Sequence, residues 1–306
     1  MKLKKALRMM RVLPTYLLAC FVTCLSVAGP VQAGFIHSLA QEQDYMDLAT
    51  LFPSSGFIEV NDGSGFVFGG SGVLVAPNWV LTAAHVALAV NNNRNSIYSG
   101  FRFGTGSNFN TDRGMTYTSS EAYLHPTYSD LKFGRDLALI HFNDQILNIP
   151  VANLYEGPKE IGRDAYMVGH GTSGTIGGTD PQTRNGSERA GVNLVNRLEF
   201  GVLSPDFISA SVRRPGFPDS RILGMLGGPG DSGGGWFYDI NGQWQLAGVT
   251  SLVEPRRYNA ITAAAFIDTP WVRSYTAVPE PGSLLLLTMA GARAVLLRRR
   301  KINLPE

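Results

Sequence analysis

Beyond its first 33 residues the chain has no cysteine, because both of its cysteines, Cys20 and Cys24, sit in the amino-terminal apolar stretch. Neither a disulfide framework nor a cysteine-ligated metal site is open to the body of the protein. Charged side chains are scarce as well, at 16% of residues against a usual ~25%. The body lacks an H-E-x-x-H motif, an acidic metal cluster and an internal repeat, so no metal or other cofactor is expected. Disorder, a coiled coil and a multi-spanning membrane protein are excluded by the overall balance. The formal charge of +2 is unevenly spread: residues 1–33 carry +5, residues 278–306 carry +3, and residues 34–277 carry −6. A nucleic-acid partner is therefore not expected. What the chain does have, over 306 residues, is 44% hydrophobic residues, 35 glycines and 17 prolines, a composition that favours short strands joined by many turns.

Both ends differ from the body. Residues 1–33 hold five basic side chains and no acid, then an apolar run over about 12–27, then Val31-Gln32-Ala33, with small residues where signal peptidase needs them. Pro14 and the short run argue against a membrane span, which needs ~20 apolar residues. Residues 1–33 are expected to be a cleaved export signal, with Gly34 as the first residue afterwards. At the other end, Val278-Pro279-Glu280-Pro281-Gly282 precedes an apolar run over 284–297 and the cluster Arg298-Arg299-Arg300-Lys301. Residues 278–306 resemble the PEP-CTERM sorting tail of Gram-negative bacteria. The resemblance implies export through the inner membrane, transient anchoring by a short transmembrane helix, and cleavage by a sorting peptidase. The basic cluster would stay in the cytoplasm, and the body would end in the periplasm, on the cell surface or outside the cell. Arg293 interrupts the apolar run, which weakens it as a span.

The stretch 34–277 is dominated by short β-type runs between glycine and asparagine clusters. They fall at 57–60, 66–68, 72–75, 79–82, 96–103, 115–123, 137–142, 166–168, 194–202, 207–212, 236–240 and 244–253. Such spacing, without a long helical period, predicts an all-β barrel or sandwich. Only the end suggests a helix: Asp268 or Thr269 can cap it, Pro270 suits its first turn, and Trp271 to Tyr275 follow. The turn-rich stretch 169–193 reads as an exposed loop.

Ser232 lies in Gly230-Asp231-Ser232-Gly233-Gly234. Flanking glycines let the backbone approach a substrate and aim N–H groups at a developing oxyanion. The pentapeptide also fits the G-x-S-x-G elbow of α/β-hydrolases, whose histidine follows the serine. Here all five histidines (His37, His85, His125, His141 and His170) precede Ser232, so that fold is excluded. His85 closes Leu81-Thr82-Ala83-Ala84-His85, where an apolar strand stops at small residues and presents an imidazole. Asp136 opens Asp136-Leu137-Ala138-Leu139-Ile140, a carboxylate followed at once by a buried-type strand. Such an acid can lie beneath a histidine and fix its tautomer. The subtilisin order needs an aspartate ahead of His85, and none of Asp44, Asp47 or Asp62 opens an apolar strand. The other polar candidates read as structural. His125 is expected in a turn and His141 half-buried on a strand. Gly169 to Gly174 fits G-x-G-x-x-G without the βαβ unit that a dinucleotide site requires.

With His125-Pro126-Thr127-Tyr128 and Gly169-His170-Gly171 added, these motifs make the chain resemble the trypsin/chymotrypsin-like serine endopeptidases over most of 50–275. The resemblance implies two six-stranded antiparallel β-barrels with a short C-terminal helix. The first barrel would occupy about 50–155 and the second about 156–277 of a protease domain spanning 34–277. It further implies His85, Asp136 and Ser232 as the catalytic triad, and the N–H groups of Gly230 and Ser232 as the oxyanion hole. Ser251 would stand beside the triad aspartate. Leu226 would form the floor of the substrate pocket and Val253 a wall. A lysine or arginine buried there would cost several kcal/mol, so small or medium apolar side chains are expected before the cut.

Two departures from the family pattern bear on stability and activation. Val86 stands where a cysteine usually follows the histidine, and no Ile-Val-Gly-Gly amino terminus appears upstream. In the family, cleavage after a basic residue creates an amino terminus that pairs with the aspartate before the nucleophile, here Asp231. No lysine or arginine lies between Gly34 and Asn93, so no tryptic cut ahead of the first barrel is available. The reading is a secreted serine endopeptidase, acting on protein or peptide substrates through an acyl-enzyme and competent without tryptic processing. Its rivals are an inactive homologue serving as a surface binding module, and an esterase using the same triad.

Overall fold

The computed structural model describes residues 34–91, 94–129, 135–198 and 206–277. The expected export signal and sorting tail lie outside the described residues, as does 199–202 of the run expected at 194–202.

The first sheet runs, in spatial order, β8 (Thr116–Ser119), β7 (Phe101–Gly104), β2 (Ser55–Asn61), β3 (Phe66–Ala76), β4 (Trp79–Thr82), β10 (Ala138–His141) and β9 (Glu121–Leu124). Every pairing in it is antiparallel. Its two edges, β8 and β9, are separated in sequence by Ser120 alone. One bent strand therefore bonds both edges, and the sheet closes into a barrel of six strands. The second sheet runs β14 (Arg189–Leu194), β12 (Asp164–Gly169), β17 (Gly235–Ile240), β18 (Gln243–Val253), β19 (Ile261–Phe266) and β15 (Phe207–Ser211). Just past β14, the N–H groups of Asn196 and Arg197 donate to the Ser209 carbonyl of β15 at 3.1 and 3.2 Å, closing this sheet too. The short β11 (Asn153–Leu154) adds in parallel to β18. The expected pair of six-stranded barrels is the architecture found, and α3 (Thr269–Thr276) is the expected last helix. Asp268 caps α3 by accepting the Trp271 N–H at 3.1 Å.

The barrels share one core. Leu81, Leu139 and Phe103 of the first and Val168, Phe237 and Val249 of the second belong to a single buried cluster. Burial at ~25 cal/mol per Å² of apolar surface makes this shared interior the main stabilising term in a body without disulfides. Among the described residues no helix is long and apolar enough to cross a membrane.

Two local expectations are corrected, and one strand was not foreseen. Residues 169–193 are not an exposed loop: His170 and Arg189 are wholly buried, and the stretch contains β13 (Ser173–Thr175) and most of β14. Of the run expected at 194–202, Leu194 ends β14 and 195–198 belong to no strand. The strand β19 was not anticipated because three of its six residues are alanines, which have weak β preference. It is held by β18 on one side and β15 on the other, where buried small side chains fit.

The polar composition of 169–193 finds its partner in α1 (Glu42–Ala49), also unanticipated. Arg189 donates through Nη2 to Glu42 Oε1, with side-chain exposures of 0% and 6%. Removing one member of such a pair strands the other charge, at a cost of about 3–5 kcal/mol. Glu42→Ala is therefore expected to destabilise the fold by that amount in urea unfolding. The double change Glu42→Leu with Arg189→Met should recover most of the loss. A neutral single variant would contradict the account.

Candidate active site

At the end of β4 the buried residues Ala83 and Ala84 turn the chain into the short helix α2 (Ala84–Ala87), which carries His85. The His85 backbone N–H donates to Asp136 Oδ1 at 3.0 Å. Asp136 immediately precedes Leu137 and β10 and is fully buried. Its Oδ2 faces His85 Nδ1 at 2.7 Å and accepts the Ser251 hydroxyl at 2.5 Å. A carboxylate can only accept, so the imidazole proton lies on Nδ1. The Nε2 lone pair then faces Ser232 Oγ at 2.7 Å, and the hydroxyl donates to it. His85 and Asp136 come from the first barrel, Ser232 and Ser251 from the second.

Arg135, beside Asp136, has φ of 54°. A non-glycine side chain is strained there by about 1–2 kcal/mol. Its guanidinium offsets the strain through Asp268 Oδ2 at 2.6 Å and Asp206 Oδ2 at 3.3 Å. His125, the expected turn residue, is buried and reaches the same Asp268 oxygen at 3.2 Å. The residue ahead of Asp136 is thus fastened to the cap of α3 in the other barrel. His141 is half-buried on β10, between Glu121 and Asn78.

The turn carrying Ser232 depends on glycine at two points. Gly230 has φ of 101° and Gly233 has φ of 81°. A Cβ on Gly230 would lie 2.6 Å from Phe68, and one on Gly233 would lie 2.0 Å from Thr82 Oγ1. Ser71, which sequence reasoning missed, holds the turn from the first barrel. Its N–H donates to the Ser232 carbonyl at 2.8 Å and its hydroxyl to the Gly230 carbonyl at 3.0 Å. Among the described residues no acceptor is bonded by the N–H of Gly230 or Ser232.

Asp231 points inward, where Oδ1 accepts the Gly171 N–H at 2.7 Å and Oδ2 the Gly228 N–H at 2.8 Å. Burial pushes its carboxyl up to about 6, against the two N–H donors. The neighbouring His170 is held neutral, because burial pushes it down to about 4.

Beside Ser232 opens a cavity of about 500 Å³, lined among others by Gly227, Gly228, Ser251, Val253 and Phe35. Ser251 and Val253 line this cavity together with Ser232. Leu226 is fully buried and does not line the cavity; it lies in the apolar cluster that Phe35 and Val253 share. A second cavity of similar volume, lined by Arg135, Lys159, Asp206 and Arg273, contains no member of the His85–Asp136–Ser232 array.

The trypsin family model matches residues 49–271. A trypsin from Simulium vittatum is 27% identical over 219 residues, covering 68% of this chain and 78% of that protein. Kallikrein-7 of Homo sapiens is 28% identical over 169 residues, covering 53% of this chain and 60% of its own length. The CLIP domain-containing serine protease B4 of Anopheles gambiae is 24% identical over 227 residues, covering 65% of this chain. The match spans 59% of that last protein's length.

The two N–H bonds to Asp231 hold the turn that carries Gly230 and Ser232. Asp231→Asn turns one acceptor into a donor, and is expected to slow reaction of Ser232 with a fluorophosphonate about 100-fold, the size of effect that one misplaced backbone donor has in such reactions. The raised carboxyl also predicts a pH effect on stability. Its contribution is complete below pH 3.8 and is lost as pH rises through about 6. The melting temperature of the wild type minus that of Asp231→Asn should therefore fall between about pH 4 and pH 7. A flat or rising difference would contradict the assignment.

Proposed function

The chain belongs to the trypsin family of serine endopeptidases, and from that premise we propose that it is a secreted endopeptidase with His85, Asp136 and Ser232 as its catalytic residues. The observation that carries this reading is the continuous chain of hydrogen bonds from buried Asp136 through His85 to Ser232 Oγ, at 2.7 Å for each link.

In the proposed reaction Ser232 Oγ attacks the scissile carbonyl while its proton passes to His85 Nε2. Asp136 stabilises the resulting imidazolium through Nδ1–H without taking the proton. The negative charge on the carbonyl oxygen is met by the N–H groups of Gly230 and Ser232, each worth about 3 kcal/mol. Collapse of the tetrahedral intermediate breaks the C–N bond, and His85 returns its proton to the leaving amine. Water then adds to the acyl-enzyme by the same route and frees Ser232.

The proposed preference is for small or medium apolar side chains before the cut. A Cβ on Gly227 would lie only 2.9 Å from Val253 Cγ2, so the two walls of the cavity nearly meet. Glu254 and Arg256 also border the cavity, and both are engaged. Glu254 accepts the Ile261 N–H at 3.0 Å, and Arg256 donates to the carbonyls of Gly178 and Asp180 at 2.6 and 3.0 Å. The proposed competence without tryptic processing rests on the two backbone donors that already hold Asp231. Export is proposed from the signal-like residues 1–33, and transient anchoring followed by sorting-peptidase cleavage from residues 278–306.

Cleavage of a peptide library by the purified protein, beside Ser232→Ala, tests the reading. Turnover is expected after alanine- or valine-sized residues, and the variant should lose on the order of 10⁶ in kcat. Undiminished cleavage by Ser232→Ala would overturn the nucleophile. A profile dominated by lysine or arginine would overturn the specificity, and ester hydrolysis without peptide hydrolysis would overturn the endopeptidase.

A further inference from the structure

The cavity beside Ser232 includes one side chain from far outside the two barrels. Phe35 belongs to β1 (Gly34–Ile36), a strand inserted between β13 and β16 (Met225–Leu226). Phe35 pairs with Gly174 in parallel on one side and with Leu226 in antiparallel on the other. Its side chain is 4% exposed, in an apolar cluster with Leu226, Ile176, Val212 and Ala260.

The ring lies beside residues of both walls of the cavity. On the nucleophile side, Phe35 Cε2 lies 3.4 Å from where a Cβ on Gly228 would stand. On the opposite side, the Arg256 guanidinium carbon lies 5.3 Å from the ring centroid. Arg256 cannot swing away freely, because it is bonded to two carbonyls across the 178–180 turn. A flat apolar ring, anchored by strand pairing and packed in that apolar cluster, is a stop rather than a movable flap.

We infer that Phe35 is a specificity-determining residue: its ring bounds the cavity that opens beside Ser232 and limits how long an apolar side chain the cavity accepts. This rests on the endopeptidase reading above. Val253 approaches Gly227 across the cavity, and Phe35 bounds it as well. Truncating Phe35 enlarges the cavity by about a ring's volume, which an aromatic substrate side chain can fill. The backbone of β1 stays paired, because its hydrogen bonds do not involve the ring.

The test compares kcat/KM for two peptides that differ only in the residue before the cut, phenylalanine against alanine. It uses full-length wild type, Phe35→Ala and Phe35→Leu, with fluorophosphonate labelling of each. The ratio of phenylalanine to alanine turnover should rise about tenfold or more in Phe35→Ala, the discrimination that a few carbons in an apolar pocket carry. Phe35→Leu, which keeps apolar bulk, should give a smaller rise and secures the test if the alanine variant fails to fold. An unchanged ratio in a variant that still labels overturns the inference and leaves the endopeptidase reading intact. A wild type that neither labels nor cleaves overturns that reading, and the inference with it.

Discussion

A carboxylate with no access to water has to be surrounded by donors, and Asp136 is the point around which the two barrels are arranged. Its partners are a backbone N–H, an imidazole N–H and a hydroxyl, supplied by α2 of the first barrel and β18 of the second. Leaving such a group unpaired would cost several kcal/mol, a large share of the net stability of a domain. The barrels therefore cannot separate or slide without exposing that charge to an unsatisfied interior. The apolar core that crosses between them makes the same demand through packing. Assembly of the fold and alignment of the site are one event.

The same logic recurs around Asp136. Arg135 ties the residue ahead of it to Asp206 and Asp268, and Ser71 ties the first barrel to the turn that carries Ser232. Asp231 fixes that turn from within, and the Glu42–Arg189 pair binds α1 to β14. Buried polar contacts of this kind stabilise little beyond what apolar side chains would. What they add is a single geometry, which holds His85 at 2.7 Å from both Asp136 and Ser232. In a body without disulfides, these contacts and the packing carry the whole task.

Much of this was legible in the sequence because it is local. Small residues before His85, an aspartate opening an apolar strand, and glycines around Ser232 are features of a few consecutive positions. Asp268 ahead of Pro270 marked α3 for the same reason. What escaped was long-range. Ser71 is an unremarked serine within a strand, and only the fold brings it to Gly230. Phe35 carries no signal until β1 inserts between β13 and β16. The alanines of β19 conceal a strand that exists through its neighbours. The polar stretch 169–193 looked solvent-exposed because nothing in it announces that Glu42 neutralises Arg189 inside the protein.

This geometry is expected to activate the Ser232 hydroxyl above the other hydroxyls of the protein. Reaction of the folded protein with a fluorophosphonate, followed by peptide mapping of the adduct by mass spectrometry, addresses it directly. A single adduct per chain is expected, on Ser232, and lost when the protein is unfolded before treatment. An adduct on another residue, or none on the folded protein, would contradict it.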